Sequence, residues 1–66
     1  QGRSQEAVQV LTRALTSDSQ NRDLLFALTT INRDLGRLED ARVFAQRLVS
    51  AFPEDRAALQ LRDALK

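Results

Sequence analysis

The sequence contains no cysteine and no histidine. Without cysteine there is no disulfide to staple a small fold, and without either residue there is no ordinary structural zinc site. Nucleophile–base pairs in catalysis usually draw on the same two residue types, so the chain is expected not to be an enzyme and to need no cofactor. Glycine is scarce: Gly2 and Gly36 stand alone, each read as a turn residue, and no glycine run is available to cradle a phosphate. No stretch of 18 apolar residues occurs, so no membrane contact is expected of this segment, and no signal-peptide pattern is present. No sign of charge dominates. Ten basic and nine acidic residues are interspersed, so no chain-wide field points to nucleic acid. Nine of the ten basic residues are arginine, which fits genomic base composition better than function.

What is present is an internal match at an offset of 34 residues. Gly2-Arg3 returns as Gly36-Arg37, and Glu6-Ala7 returns as Asp40-Ala41. Arg13 returns as Arg47, Leu15 as Val49, and Ser19 falls where Pro53 falls. Leu11 and Ala14 correspond to Ala45 and Leu48, an exchange of large and small residues that a close-packed interior tolerates when volume is kept. Self-similarity at a fixed period of about 20–50 residues marks a protein built of stacked units.

Apolar spacing predicts four helices and no strand. The first, over 3–17, carries a stripe of Ala7, Val10, Leu11, Ala14 and Leu15. The second, over 22–35, follows Asn21 as N-cap, has Asp23 in its first turn, and shows Leu24, Leu25, Leu28, Ile31 and Leu35 on one side. Gly36 ends it, being able to take positive φ. The third, over 38–51, turns Leu38, Ala41, Phe44, Ala45, Leu48, Val49 and Phe52 inward, with Glu39 and Asp40 at its positive end and Arg47 toward the other. Pro53 prevents continuation. The fourth, over 54–65, puts Ala58, Leu61 and Leu65 inward and Arg56, Gln60, Arg62, Asp63 and Lys66 outward. Short connections make consecutive helices antiparallel neighbours.

With Arg22 as first position and Asp55 as last, the block 22–55 resembles a complete tetratricopeptide motif. Leu25 stands where that family has a bulky Trp, Leu28 at the following Leu, and Thr29 at a small-residue position. Gly36 stands at the helix–helix turn, Ala41 at the small contact position and Pro53 at the end. Asn32 and Ala45 depart from it, at positions usually aromatic and usually large. On this resemblance the fold is all-α, antiparallel hairpins stacked with a right-handed superhelical twist. Residues 1–21 form the second helix of a preceding repeat, 22–55 a complete repeat, and 56–66 either a first helix of the next repeat or a cap.

The resemblance implies a non-catalytic scaffold for protein–protein contacts. First helices line the concave face in this family, which places Asp23, Phe26, Thr30, Arg33 and Asp34 in the groove. Phe26 breaks the Leu25, Leu28, Ile31 stripe, and reads either as an exposed apolar anchor or as packing against a neighbouring helix. The lysine–asparagine clamp used by the family's chaperone-tail binders is absent, because its two positions hold Phe26 and Thr30. A purely structural spacer or cap is the alternative role. A helix-turn-helix reading of 29–48 for nucleic acid is weaker, since Arg33, Arg37, Arg42 and Arg47 each lie near an acid in sequence, among Asp34, Glu39 and Asp40. A core of this size supplies only about 3–5 kcal/mol, and repeat arrays need about three units. The expectation is therefore a segment of a longer protein, or a chain that covers its open ends against a partner protein or a second copy.

Overall fold

The computed structural model describes residues 2–65, and Gln1 and Lys66, which belong to the two expected end segments, lie outside them. Four helices follow one another: α1 Gly2–Ser17, α2 Arg22–Asp34, α3 Leu38–Ala51 and α4 Arg56–Ala64. No strand occurs among the described residues. Each helix packs against its neighbours in sequence, with α2 and α3 sharing the most extensive contact. The result is an all-α stack of helical hairpins.

The turns repeat with the sequence. Asn21 caps α2, its side-chain oxygen accepting from the Leu24 N–H at 3.1 Å. Thirty-four residues on, Asp55 caps α4 and accepts from the Ala58 N–H at 3.2 Å. Before each cap the backbone closes in the same way: the Asn21 N–H donates to the Asp18 carbonyl at 3.2 Å, and the Asp55 N–H to the Phe52 carbonyl at 3.1 Å. Two unlike sequences, Asp-Ser-Gln-Asn and Phe-Pro-Glu-Asp, thus make one turn. The expected start of the fourth helix at Glu54 is corrected to Arg56, because Pro53 and Glu54 form the turn and Asp55 uses its carboxylate as the cap.

The α2–α3 connection is closed by Gly36 at φ +79°. The Gly36 N–H donates to the Arg33 carbonyl at 3.0 Å and the Arg37 N–H to the Asn32 carbonyl at 2.9 Å, the paired bonds of a Schellman ending. Leu35 is the residue just beyond the helix. α3 has no side-chain cap at Arg37, and Glu39 and Asp40 in its first turn complement the exposed N–H groups instead.

One apolar cluster joins all four helices through Leu15, Leu25, Leu28, Leu48, Val49 and Ala58, with Val8, Leu11, Leu24, Phe26, Phe44, Phe52 and Leu59 packed against it. A smaller one holds Ala41, Ala45 and Leu65. Ala45, where the family has a large residue, leaves the space that Leu65 takes, and the Arg42 guanidinium donates to the Leu65 carbonyl at 2.6 Å. Thr29 and Asn32 are buried yet satisfied within α2: Thr29 donates to the Leu25 carbonyl at 2.7 Å and Asn32 to the Leu28 carbonyl at 2.8 Å.

The α1 stripe needs correction. Leu15 is buried and Val8 and Leu11 are partly so, but Val10 is 64% exposed and Ala14 is exposed. Ala14 is exposed while its sequence equivalent Leu48 is buried, and among the described residues only α3 has a helix against that side. Leu38, also expected inward, is 44% exposed at the start of α3. Ala58 and Leu61 of α4, and Leu65 just beyond it, are buried as expected.

Two substitutions test the hairpin. A Cβ built on Gly36 meets nothing within 4 Å, so Gly36→Ala probes backbone strain alone and should destabilise by about 1–2 kcal/mol, with Gly36→Asn costing less. Ala41 is fully buried, and Ala41→Leu should lower stability by about 1–3 kcal/mol through overpacking. Urea unfolding followed by circular dichroism reads both, and an unchanged midpoint for Ala41→Leu would show that the α3 register is wrong.

Candidate functional site

Successive residues of a helix are turned by about 100°, which gives α2 distinct sides. Leu25, Leu28, Thr29 and Asn32 form the buried side. By the same spacing Asp23, Thr30 and Asp34 fall opposite it, and Phe26 and Arg33 fall on the flank between. Asp23, Arg33 and Asp34 are exposed, while Phe26 and Thr30 are half-buried. The Thr30 hydroxyl donates to the Ala27 carbonyl at 3.1 Å. Phe26 is half-buried and packs against the core cluster.

The charges are ordered around that ring. Arg33 pairs with Asp34 at 3.3 Å at one end of the face. At the other, Arg22 stands 5.2 Å from the Phe26 ring centroid and contacts Asp23 at 3.6 Å. The offset of 34 carries Asp23, Phe26 and Thr30 onto Ala57, Gln60 and Ala64 of α4, all exposed. Sequence reasoning did not group these with the α2 residues, although the offset alone could have done so, and it took Arg22 only as the start of the repeat, not as the partner of a residue 33 positions away. Two surface depressions lie elsewhere. Ser19, Gln20, Gln46, Arg47, Ser50 and Ala51 line one, and residues 51–55 line the other.

The expected pairing of arginines with nearby acids holds for Arg33 but not for two of the others. Arg42 donates to the Leu65 carbonyl, and Arg47 reaches the Ser19 carbonyl at 3.5 Å while lying 5.8 Å from the Phe44 ring centroid. Among the described residues no group of three carboxylates gathers as metal ligands, and no helix is long and apolar enough to cross a membrane.

Arg22 also pairs with Asp55, joining the first residue of α2 to the cap of α4. The hydrogen bond from Arg22, then the Ala58 N–H, hold the Asp55 carboxyl below the ordinary aspartate value of about 3.9. The same hydrogen bond raises Arg22. A carboxyl lowered by folding adds stability above its unfolded value, and that contribution is lost as pH falls through its folded value. The urea midpoint should therefore fall as pH is taken from about 5 toward 2. Asp55→Asn, which retains a capping oxygen, should flatten part of that fall. A pH profile identical in the variant would show that the pair contributes nothing.

The family model for the tetratricopeptide repeat matches residues 1–65. No curated protein and no solved structure matches the chain. Tetratricopeptide repeats are in general non-catalytic modules for protein–protein interaction, and the 34-residue offset, the Gly36 turn, the buried Ala41 and the duplicated caps agree with that match. The chain belongs to the tetratricopeptide repeat family.

Proposed function

We propose that the chain is a binding module that seats a partner peptide on the open side of α2, continuing over α4. The observation that supports this is Phe26: a half-exposed ring on a solvent-facing helix side, flanked by Thr30 and bracketed by the Arg22–Asp23 and Arg33–Asp34 pairs. A large apolar anchor surrounded by polar groups is the usual composition of a protein contact centre. Asp23, Arg33 and Asp34 then orient the partner through charge. Arg33 is already paired, and Arg42 and Arg47 donate to backbone carbonyls, so these cations do not form one free basic stripe of the kind a nucleic-acid backbone requires.

A structural spacer or cap is supported by a different observation. The side of α4 equivalent to the buried side of α2 carries Arg62 and Asp63, paired at 3.4 Å, a polar end suited to face water. The two readings separate at Phe26. Peptides selected from a displayed random library against the chain should bind at least about tenfold more weakly to Phe26→Ala, and should respond to Asp23→Arg and Arg33→Glu, which leave the core untouched. Circular dichroism checks that each variant is folded. Selected peptides indifferent to all three changes would leave the spacer role standing.

A further inference from the structure

The turn between α1 and α2 and the last turns of α3 frame a surface depression of about 310 Å³, near the lower end of the range for ligand sites. Ser19 and Gln20 line it from the turn, and Gln46, Arg47, Ser50 and Ala51 from α3. None of these residues belongs to the Phe26 face. The depression does not arise from an end of the chain. Gln46, Arg47 and Ser50 are exposed with helices packed both before and after α3, and their counterparts 34 residues earlier, Thr12, Arg13 and Thr16, are exposed although α2 and α3 follow them. Ser19 and Gln20 likewise match Pro53 and Glu54, which are exposed although α2 and α3 precede them. Neither wall is therefore a side that a neighbouring repeat covers.

The chemistry of the lining is one-sided. Arg47 is its one charged residue, and no carboxylate shares it. Asp18, next to the turn, has its carboxylate engaged by the Asn21 side-chain amide at 3.0 Å. The Arg47 guanidinium is held from two directions: it lies 5.8 Å from the Phe44 ring centroid and 3.5 Å from the Ser19 carbonyl, a long bond for an N–H donor. A guanidinium carries five N–H donors, so most of this capacity is unused. Ser50 follows Arg47 by three residues and shares its side of α3. Among the described residues the side chains of Ser19, Gln20, Gln46 and Ser50 have no hydrogen-bond partner within the chain.

We propose that this depression binds a carboxylate of a partner protein, on an acidic side chain or at a chain end, with Arg47 as its counter-ion and Ser19, Gln20, Gln46 and Ser50 as neutral donors. One guanidinium offsets one carboxylate. A phosphate monoester carries about −1.5 to −2 at neutral pH and would keep excess charge beside a single cation. The planar fork of the guanidinium matches the two carboxylate oxygens. An ionised carboxylate only accepts hydrogen bonds, which suits a lining whose polar side chains can all donate. The site goes beyond the peptide-binding reading, because it supplies a second contact, on α3 and the turn before α2, that reads a partner's charge and not an apolar anchor.

Nitrogen–proton correlation NMR on the 66-residue chain, at neutral pH and fixed ionic strength, tests the site. The probes are N-acetylglutamate amide for an acidic side chain, N-acetylglycine for a chain end, the neutral N-acetylglutamine amide, and N-acetylphosphoserine amide. A carboxylate probe should shift the Arg47 side-chain N–H and the backbone amides of Ser19, Gln20 and Ser50, and should saturate with a dissociation constant on the order of 1–10 mM. Saturable binding of either carboxylate upholds the proposal, and the tighter of the two assigns the source. Arg47→Gln should weaken binding at least about tenfold, and Arg47→Lys should weaken it less, since it keeps the charge and loses the fork. Arg33→Gln and Phe26→Ala should leave it unchanged, which separates failure here from failure of the peptide-binding reading. Circular dichroism checks that each variant is folded. Equal binding of the glutamine analogue, no saturable shift from either carboxylate up to about 50 mM, or binding indifferent to Arg47→Gln would each overturn the proposal. Phosphoserine binding at least about tenfold tighter than both carboxylates would overturn it as well.

Discussion

Leu25, Leu28 and Leu48 lose essentially all contact with water where α2 meets α3, and the outer helices join by adding to the same cluster, α1 with Leu15 and α4 with Ala58. Burial of apolar area is the dominant favourable term in folding. In a chain without disulfide or structural zinc, no covalent or metal staple supplements it. Other features serve that junction. The Schellman ending at Gly36 turns the chain tightly enough for α3 to lie along α2. The caps at Asn21 and Asp55 start α2 and α4 at equivalent points of the repeat. Polar groups drawn into the junction are satisfied locally. Thr29 and Asn32 donate to carbonyls one turn back in their own helix, so they enter the core without requiring a partner from α3.

Much of this was legible in the sequence, and the misreadings have physical causes. Periodicity identifies an apolar stripe but not which edge of it a neighbour will cover. On α1 the stripe is broader than its contact with α2, and Val10 and Ala14 fell on the uncovered edge. Leu38 failed for a related reason: the first residue of a helix lies beyond the reach of the neighbour that covers the next turns. Pro53 announced a break, yet whether Glu54 or Asp55 would cap the next helix depended on which carboxylate met a free N–H. The Asn21 cap, by contrast, is a local event and could be read directly.

The open side of α2 was only half legible. The offset of Phe26 from Leu25 and Leu28 places it on another side of the helix, which spacing alone gives. That Arg22 lies over the ring is a contact one turn along the same helix, whereas its pairing with Asp55 is a fact of tertiary structure linking residues 33 apart. Proximity in sequence was likewise a poor guide for Arg42 and Arg47, which reach backbone carbonyls on other elements in place of the acids beside them.

The most extensive packing is between helices consecutive in sequence, which bears on how the chain acquires its structure. Contacts that are local in sequence close short loops, and loop closure is the main entropic barrier to forming long-range contacts. Helix α2 can dock α3 across a three-residue connection with no other part of the chain in place, and α1 and α4 can then add independently at either flank. The shared cluster and the Arg22–Asp55 pair then tie these additions together, so the outer helices complete a core that the middle hairpin only begins.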